Sequence, residues 1–127
     1  MIAAAAALAA ALGGCGVPES TTRSVDEVAR QFMAAVERGD GGLACSLLTP
    51  EAAGSVGSGD QTCVEAFGDL DLPRGGSVRR TEVWSDEAQV QTGVDTLFVT
   101  NLSSGWRVAA AGCTARPPRP YDCEVQG

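Results

Sequence analysis

Five cysteines and one aspartate carry most of the chemistry this sequence offers. Asp95 stands in Val94-Asp95-Thr96-Leu97-Phe98-Val99-Thr100, where it alternates with Leu97 and Val99. On the concave face of a sheet its carboxylate would be desolvated, the setting of a general base. The competing reading puts Asp95 at a strand start, solvated or paired with Arg80 or Arg107. Trp106 and Arg107 are the neighbours that would complete a pocket with it. The chain contains no His, which excludes a Ser-His-Asp triad, a Cys-His dyad and any His-ligated metal. No catalytic residue is therefore assigned, and no metal or other cofactor is expected.

The cysteines, Cys15, Cys45, Cys63, Cys113 and Cys123, are odd in number. Residues Ile2 to Leu12 form an uncharged, Ala-rich apolar run. A membrane span needs about 20 such residues, so the run suits the h-region of a secretory signal instead. Its end, Leu12-Gly13-Gly14-Cys15, resembles the lipobox of bacterial lipoproteins. That resemblance implies a diacylglyceryl group on the Cys15 sulfur and cleavage just before it. The mature protein would then sit on the extracytoplasmic face of the cell membrane, held by its lipid. An Ala-rich helix with a buried Cys is the alternative, but the run has no amphipathic period or polar face. It also lacks a positive n-region, which predicts an in-frame upstream start adding Arg or Lys.

Four cysteines remain. An exported chain meets oxidising conditions, and an even number there reads as two disulfides. Of three possible pairings, Cys45–Cys63 and Cys113–Cys123 each join residues of one local segment. No C-x-x-C occurs, which argues against a zinc knuckle or a thioredoxin-like site.

These residues must be positioned by one small domain. The chain has 127 residues, its nine basic side chains are all Arg, and its net charge is −7. That balance argues against nucleic acid. Residues 1–14 read as signal peptide, residues 15–23 as lipidated Cys and flexible tether, and residues 24–127 as the domain. Ser24 and Glu27 have the form of a capping box. Val25, Val28, Ala29, Phe32, Met33 and Val36 then follow a helical period, with Gly39 as C-cap. Leu43–Leu48 and Gln61–Phe67 read as short helices, Thr49-Pro50 as a fresh helix start, and Gly54–Asp60 as a loop. From Val78 the period becomes 2, giving strands over Val78–Trp84, Ala88–Thr92, Val94–Thr100 and Trp106–Ala111. Pro117, Pro118 and Pro120 make the tail irregular, with Cys123 pinning it back. The expected class is α+β: a long N-terminal helix and short helices packed on an antiparallel sheet of about four strands.

The segments Phe32 to Asp40 and Gly105 to Val108 (Gly-Trp-Arg-Val) resemble the nuclear transport factor 2-like superfamily, also called SnoaL-like or cystatin-like. That resemblance implies a cone in which a curved sheet wraps the long helix. Enzymatic members often use an Asp inside the cone, sometimes with His; the second form is out of reach here. The cysteine spacing is also similar to that of small lipoproteins from high-GC Gram-positive bacteria. The superfamily holds enzymes, carriers and interaction domains alike.

The remaining motifs read as structure. Trp84 and Trp106 are expected as core anchors rather than pocket walls. Arg79-Arg80 reads as cross-strand charge partners. Asp69-x-Asp71 lacks the further ligands of a calcium loop, and Asn101-Leu102-Ser103 reads as turn chemistry. The expected function is a non-catalytic envelope lipoprotein that binds a partner protein or small ligand. The alternative is a carrier or enzyme using Asp95 in the cavity, and a sensor domain of a signalling system is a third reading. The oligomeric state stays open.

Overall fold

In the computed structural model, residues 16–127 are described; the segment expected to be a signal peptide and Cys15 lie outside them. Helix α1 spans Glu19–Arg38 and buries Val25, Ala29, Phe32, Ala35 and Val36. It ends on Gly39 at φ +66°, the left-handed cap that glycine adopts without steric cost. Its start corrects the expected boundary. The helix begins five residues before Ser24, directly after Pro18, whose carbonyl accepts the Thr21 amide at 3.0 Å. Ser24 is mid-helix and its hydroxyl donates to the Ser20 carbonyl. Glu27 accepts from Gln31 Nε2 instead of closing a capping box. Pro18 just before the first turn and Glu19 within it favour helix over free tether.

Three short helices follow: α2 (Gly41–Ser46), α3 (Pro50–Val56) and α4 (Cys63–Phe67). Each has a side-chain cap. Asp40 accepts the Leu43 amide, Thr49 accepts the Ala52 amide, and Thr62 with Glu65 forms a capping box. Helix α3 takes Gly54, Ser55 and Val56 out of the expected loop. Leu47 and Thr49 dock on the sheet through backbone bonds to Val108 at 2.8 and 2.9 Å.

The sheet has five strands, not about four: β1 (Val78–Trp84), β2 (Glu87–Thr92), β3 (Thr96–Leu102), β4 (Gly105–Arg116) and β5 (Arg119–Gln126). They run in order β1-β2-β3-β4-β5, and every neighbouring pair is antiparallel. The fifth strand is the proline-rich tail expected to be irregular. Proline weakens a central strand, but Pro120 lies in an edge strand, where a missing N–H is tolerated. Ala88, Val90, Leu97, Val99, Val108 and Val125 face the helices and close one core with Phe32. The two tryptophans separate. Trp106 is buried in this core, whereas Trp84 is 54% exposed, so only one is the anchor expected of both.

Candidate functional site

Asp95 sits at the β2–β3 turn, one residue before β3. The Thr92 hydroxyl accepts the amides of Val94 and Asp95 at 3.2 and 2.8 Å and so shapes the turn. The Asp95 carboxylate then points across to β4. Oδ1 accepts the Thr96 amide at 2.7 Å and the Cys113 amide at 2.9 Å, and Oδ2 accepts the Gly112 amide at 2.9 Å. Gly112 has φ +66°, a conformation L-residues rarely adopt, and a Cβ there would lie 2.8 Å from the Glu124 Cβ. Its amide and the next both turn toward the carboxylate at this bend. Three backbone donors thus hold the side chain, and charged acceptors make such bonds strong.

Neither sequence reading of Asp95 describes this arrangement. The residue does begin a strand, but its partners are amides rather than guanidinium groups. Arg80 pairs with Glu82 on its own strand. Arg107 donates to the carbonyls of Trp106 and Ser104 at 2.8 and 3.3 Å. Arg107 opposes Thr100 in the β3–β4 register, five residues along from Asp95, or about 17 Å of strand. Trp106 faces the core one position away. The structure therefore does not bring Asp95, Trp106 and Arg107 together.

Asp95 does edge a cleft, with Phe32, Met33, Val36, Leu72 and Leu97 around it. Its water-accessible volume is about 10 Å³, roughly what a single water needs. Phe32 and Leu97, 2% and 1% exposed, fill the space between α1 and the sheet. No substrate-sized chamber opens at this carboxylate.

The face of the sheet away from the helices holds a larger depression. Phe98, Ala110, Pro120 and Tyr121 form its apolar floor and walls, with a water-accessible volume of about 320 Å³. The Phe98 and Tyr121 rings meet edge to face, with centroids 5.2 Å apart. Gln89 Nε2 donates to the Tyr121 hydroxyl at 3.3 Å. The sequence carries a signal for one member of this pair. Alternation with Leu97 and Val99 assigns Phe98 to the opposite face, which none of the described helices covers. Tyr121 lies in the tail whose prolines predict irregular structure.

Two disulfides brace the domain. Cys45–Cys63 links α2 to α4, and Cys113–Cys123 joins directly opposed residues of β4 and β5. Among the described residues, no group of three or more His, Cys, Asp or Glu is placed to hold a metal ion. Asp69 and Asp71 make no such cluster. No described helix is long and apolar enough to cross a membrane.

No protein-family model, curated protein or solved structure matches the chain.

Proposed function

We propose that this chain is a lipid-anchored, extracytoplasmic lipoprotein whose disulfide-bonded domain binds a partner protein and performs no catalysis. The observation that carries the non-catalytic reading is the Asp95 carboxylate, held by the amides of Thr96, Gly112 and Cys113 beside a cleft of one-water size. A general base must reach a substrate proton, and this side chain is aimed at backbone instead. The lipobox-like Leu12-Gly13-Gly14-Cys15 and the two disulfides support export and anchoring. A cone-like kinship with the nuclear transport factor 2-like superfamily belongs to the same proposal. Its support is a long helix laid on one face of an antiparallel sheet.

The binding surface in this reading is the Phe98–Tyr121 depression. Small-molecule sites enclose most of their ligand, whereas this one is a wide, open dish with an apolar lining. It suits an apolar side chain presented by another protein. The alternative, a small molecule processed or carried beside Asp95, has no cavity of matching size.

Mass spectrometry of the membrane fraction tests the anchor. A diacylglyceryl-modified N-terminal Cys15 peptide is expected, together with release of a Cys15→Ala protein from the membrane. A Cys15→Ala protein retained at wild-type level would refute the anchor. A photo-crosslinking residue in place of Phe98 tests the surface. It should give a discrete protein adduct in cells that the same group at exposed Glu51 does not; equal labelling from both positions would refute the binding surface.

A further inference from the structure

Trp84 is the largest exposed apolar side chain among the described residues, at 54% exposure. It closes β1 at the tip of the β1–β2 hairpin, where it opposes Glu87. Two hydrogen bonds show which end of the molecule that tip occupies. The Gly75 amide donates to Glu37 at 3.0 Å, near the C-terminus of α1, and the Thr81 hydroxyl donates to Asp26, eleven residues earlier in the helix. As β1 advances, α1 therefore recedes toward its N-terminus. From Asp26 back to Glu19 the helix covers about 10 Å at 1.5 Å per residue. From Thr81 on to Trp84 the strand also covers about 10 Å, at 3.3 Å per residue. Trp84 thus stands level with the first turn of α1.

Only Gly16, Val17 and Pro18 separate that turn from Cys15. Fully extended, the step from Cys15 to Glu19 spans at most about 14 Å. With α1 starting at Glu19, no long flexible tether remains to hold the domain away from its lipid. With Cys15 lipidated, the end bearing Trp84 lies close to the membrane surface. Val17, within the link, is itself 42% exposed.

We infer that Trp84 is a membrane-contacting residue that seats in the lipid headgroup layer and fixes the orientation of the domain on the bilayer. This inference rests on the lipid-anchor reading of Cys15. Tryptophan favours the headgroup region, since its ring is largely apolar and its indole N–H still finds polar partners there. The net charge of −7 gives no overall attraction to anionic lipid, so the contact is an apolar one. In that pose the hairpin tips Ser85-Asp86 and Ser103-Ser104, tied by the Asn101 amide to the Asp86 carbonyl at 2.8 Å, also approach the bilayer. The Phe98–Tyr121 depression shares the open face of the sheet with Trp84, with Phe98 two residues along β3 from Thr100, which lies in the Trp84–Glu87 row.

The test is the purified lipidated protein in phosphatidylcholine vesicles, with acyl chains brominated or not. Flotation of the vesicles reads the anchor, and bromine quenching of tryptophan fluorescence reads the contact. The expected result is flotation with quenching, and loss of the quenched component in a Trp84→Phe variant that still floats. Buried Trp106 supplies the unquenched remainder. Flotation with no quenching beyond that of Trp84→Phe overturns the inference and leaves the anchor standing. Failure of the wild-type protein to float overturns the anchor and this inference with it. A blue shift that grows with protein concentration in the absence of vesicles would instead assign Trp84 to contact with a second copy.

Discussion

The Asp95 carboxylate accepts the Gly112 amide at 2.9 Å, seventeen residues away in sequence. It thereby ties the start of β3 to the bend of β4. With the bonds from Thr96 and Cys113 it forms a bracket that a neutral or shorter side chain cannot reproduce. Asp95→Ala should destabilise the domain by about 2–3 kcal/mol, because amides that bonded a charged acceptor lose it. Chemical denaturation measures the loss. Hydrogen exchange should show faster exchange at Gly112 and Cys113, while the helical amides of α1 change only with global stability.

Two glycines should respond in opposite directions to alanine. At Gly112, φ is +66° and a Cβ would meet Glu124 and Leu72 at 2.8–2.9 Å. Left-handed backbone alone costs an L-residue about 1–2 kcal/mol, and the clash adds to it. At Gly54, inside α3, a Cβ meets nothing within 4 Å, and helix propensity favours Ala by about 0.5–1 kcal/mol. Thermal melts of Gly112→Ala and Gly54→Ala should therefore fall on either side of the wild type.

The tryptophans should differ as their surroundings do. Trp106→Ala empties a buried site and should cost about 3–5 kcal/mol. Trp84→Ala removes an exposed ring and should stay within about 0.5 kcal/mol of wild type in solution. Denaturant midpoints of the two variants check the contrast, and equal losses would contradict it.

The disulfides should rank by the chain they close. Cys45–Cys63 spans 18 residues and Cys113–Cys123 spans 10. Loop-closure entropy assigns each about 3 kcal/mol, with the longer loop ahead by about 0.5 kcal/mol. The Cys113–Cys123 pair also lies in a hairpin already registered by β-pairing. Replacing each pair with alanines should therefore lower stability more for Cys45/Cys63, as denaturant titration of the two variants would show.

Much of this molecule is legible from local sequence. The 3.6-residue period through Val25, Ala29, Phe32 and Val36 specifies α1, and Gly39 ends it. Thr49-Pro50 starts α3 as its cap chemistry predicts, and alternation from Val78 onward yields the meander. Local patterns suffice there because the periods of helix and strand decide which side chains can be buried together. The β1 limits, Val78 and Trp84, agree residue for residue with that alternation.

What tertiary structure decided is which of those features meet. Alternation puts Asp95 at a strand start, but only the bend at Gly112 brings two β4 amides to its carboxylate. A tryptophan is buried or exposed according to the layer above it. Trp106 lies under the helices, while Trp84 stands on the open face at the sheet's edge. Prolines break a strand that must pair on both sides, yet β5 pairs on one side only, and no local window reveals that it is an edge. Composition removes His-based chemistry, and local spacing anticipates the pairs Cys45–Cys63 and Cys113–Cys123. The placement of Phe98 beside Tyr121, and of Trp84 level with the start of α1, comes from contacts between residues far apart in the chain.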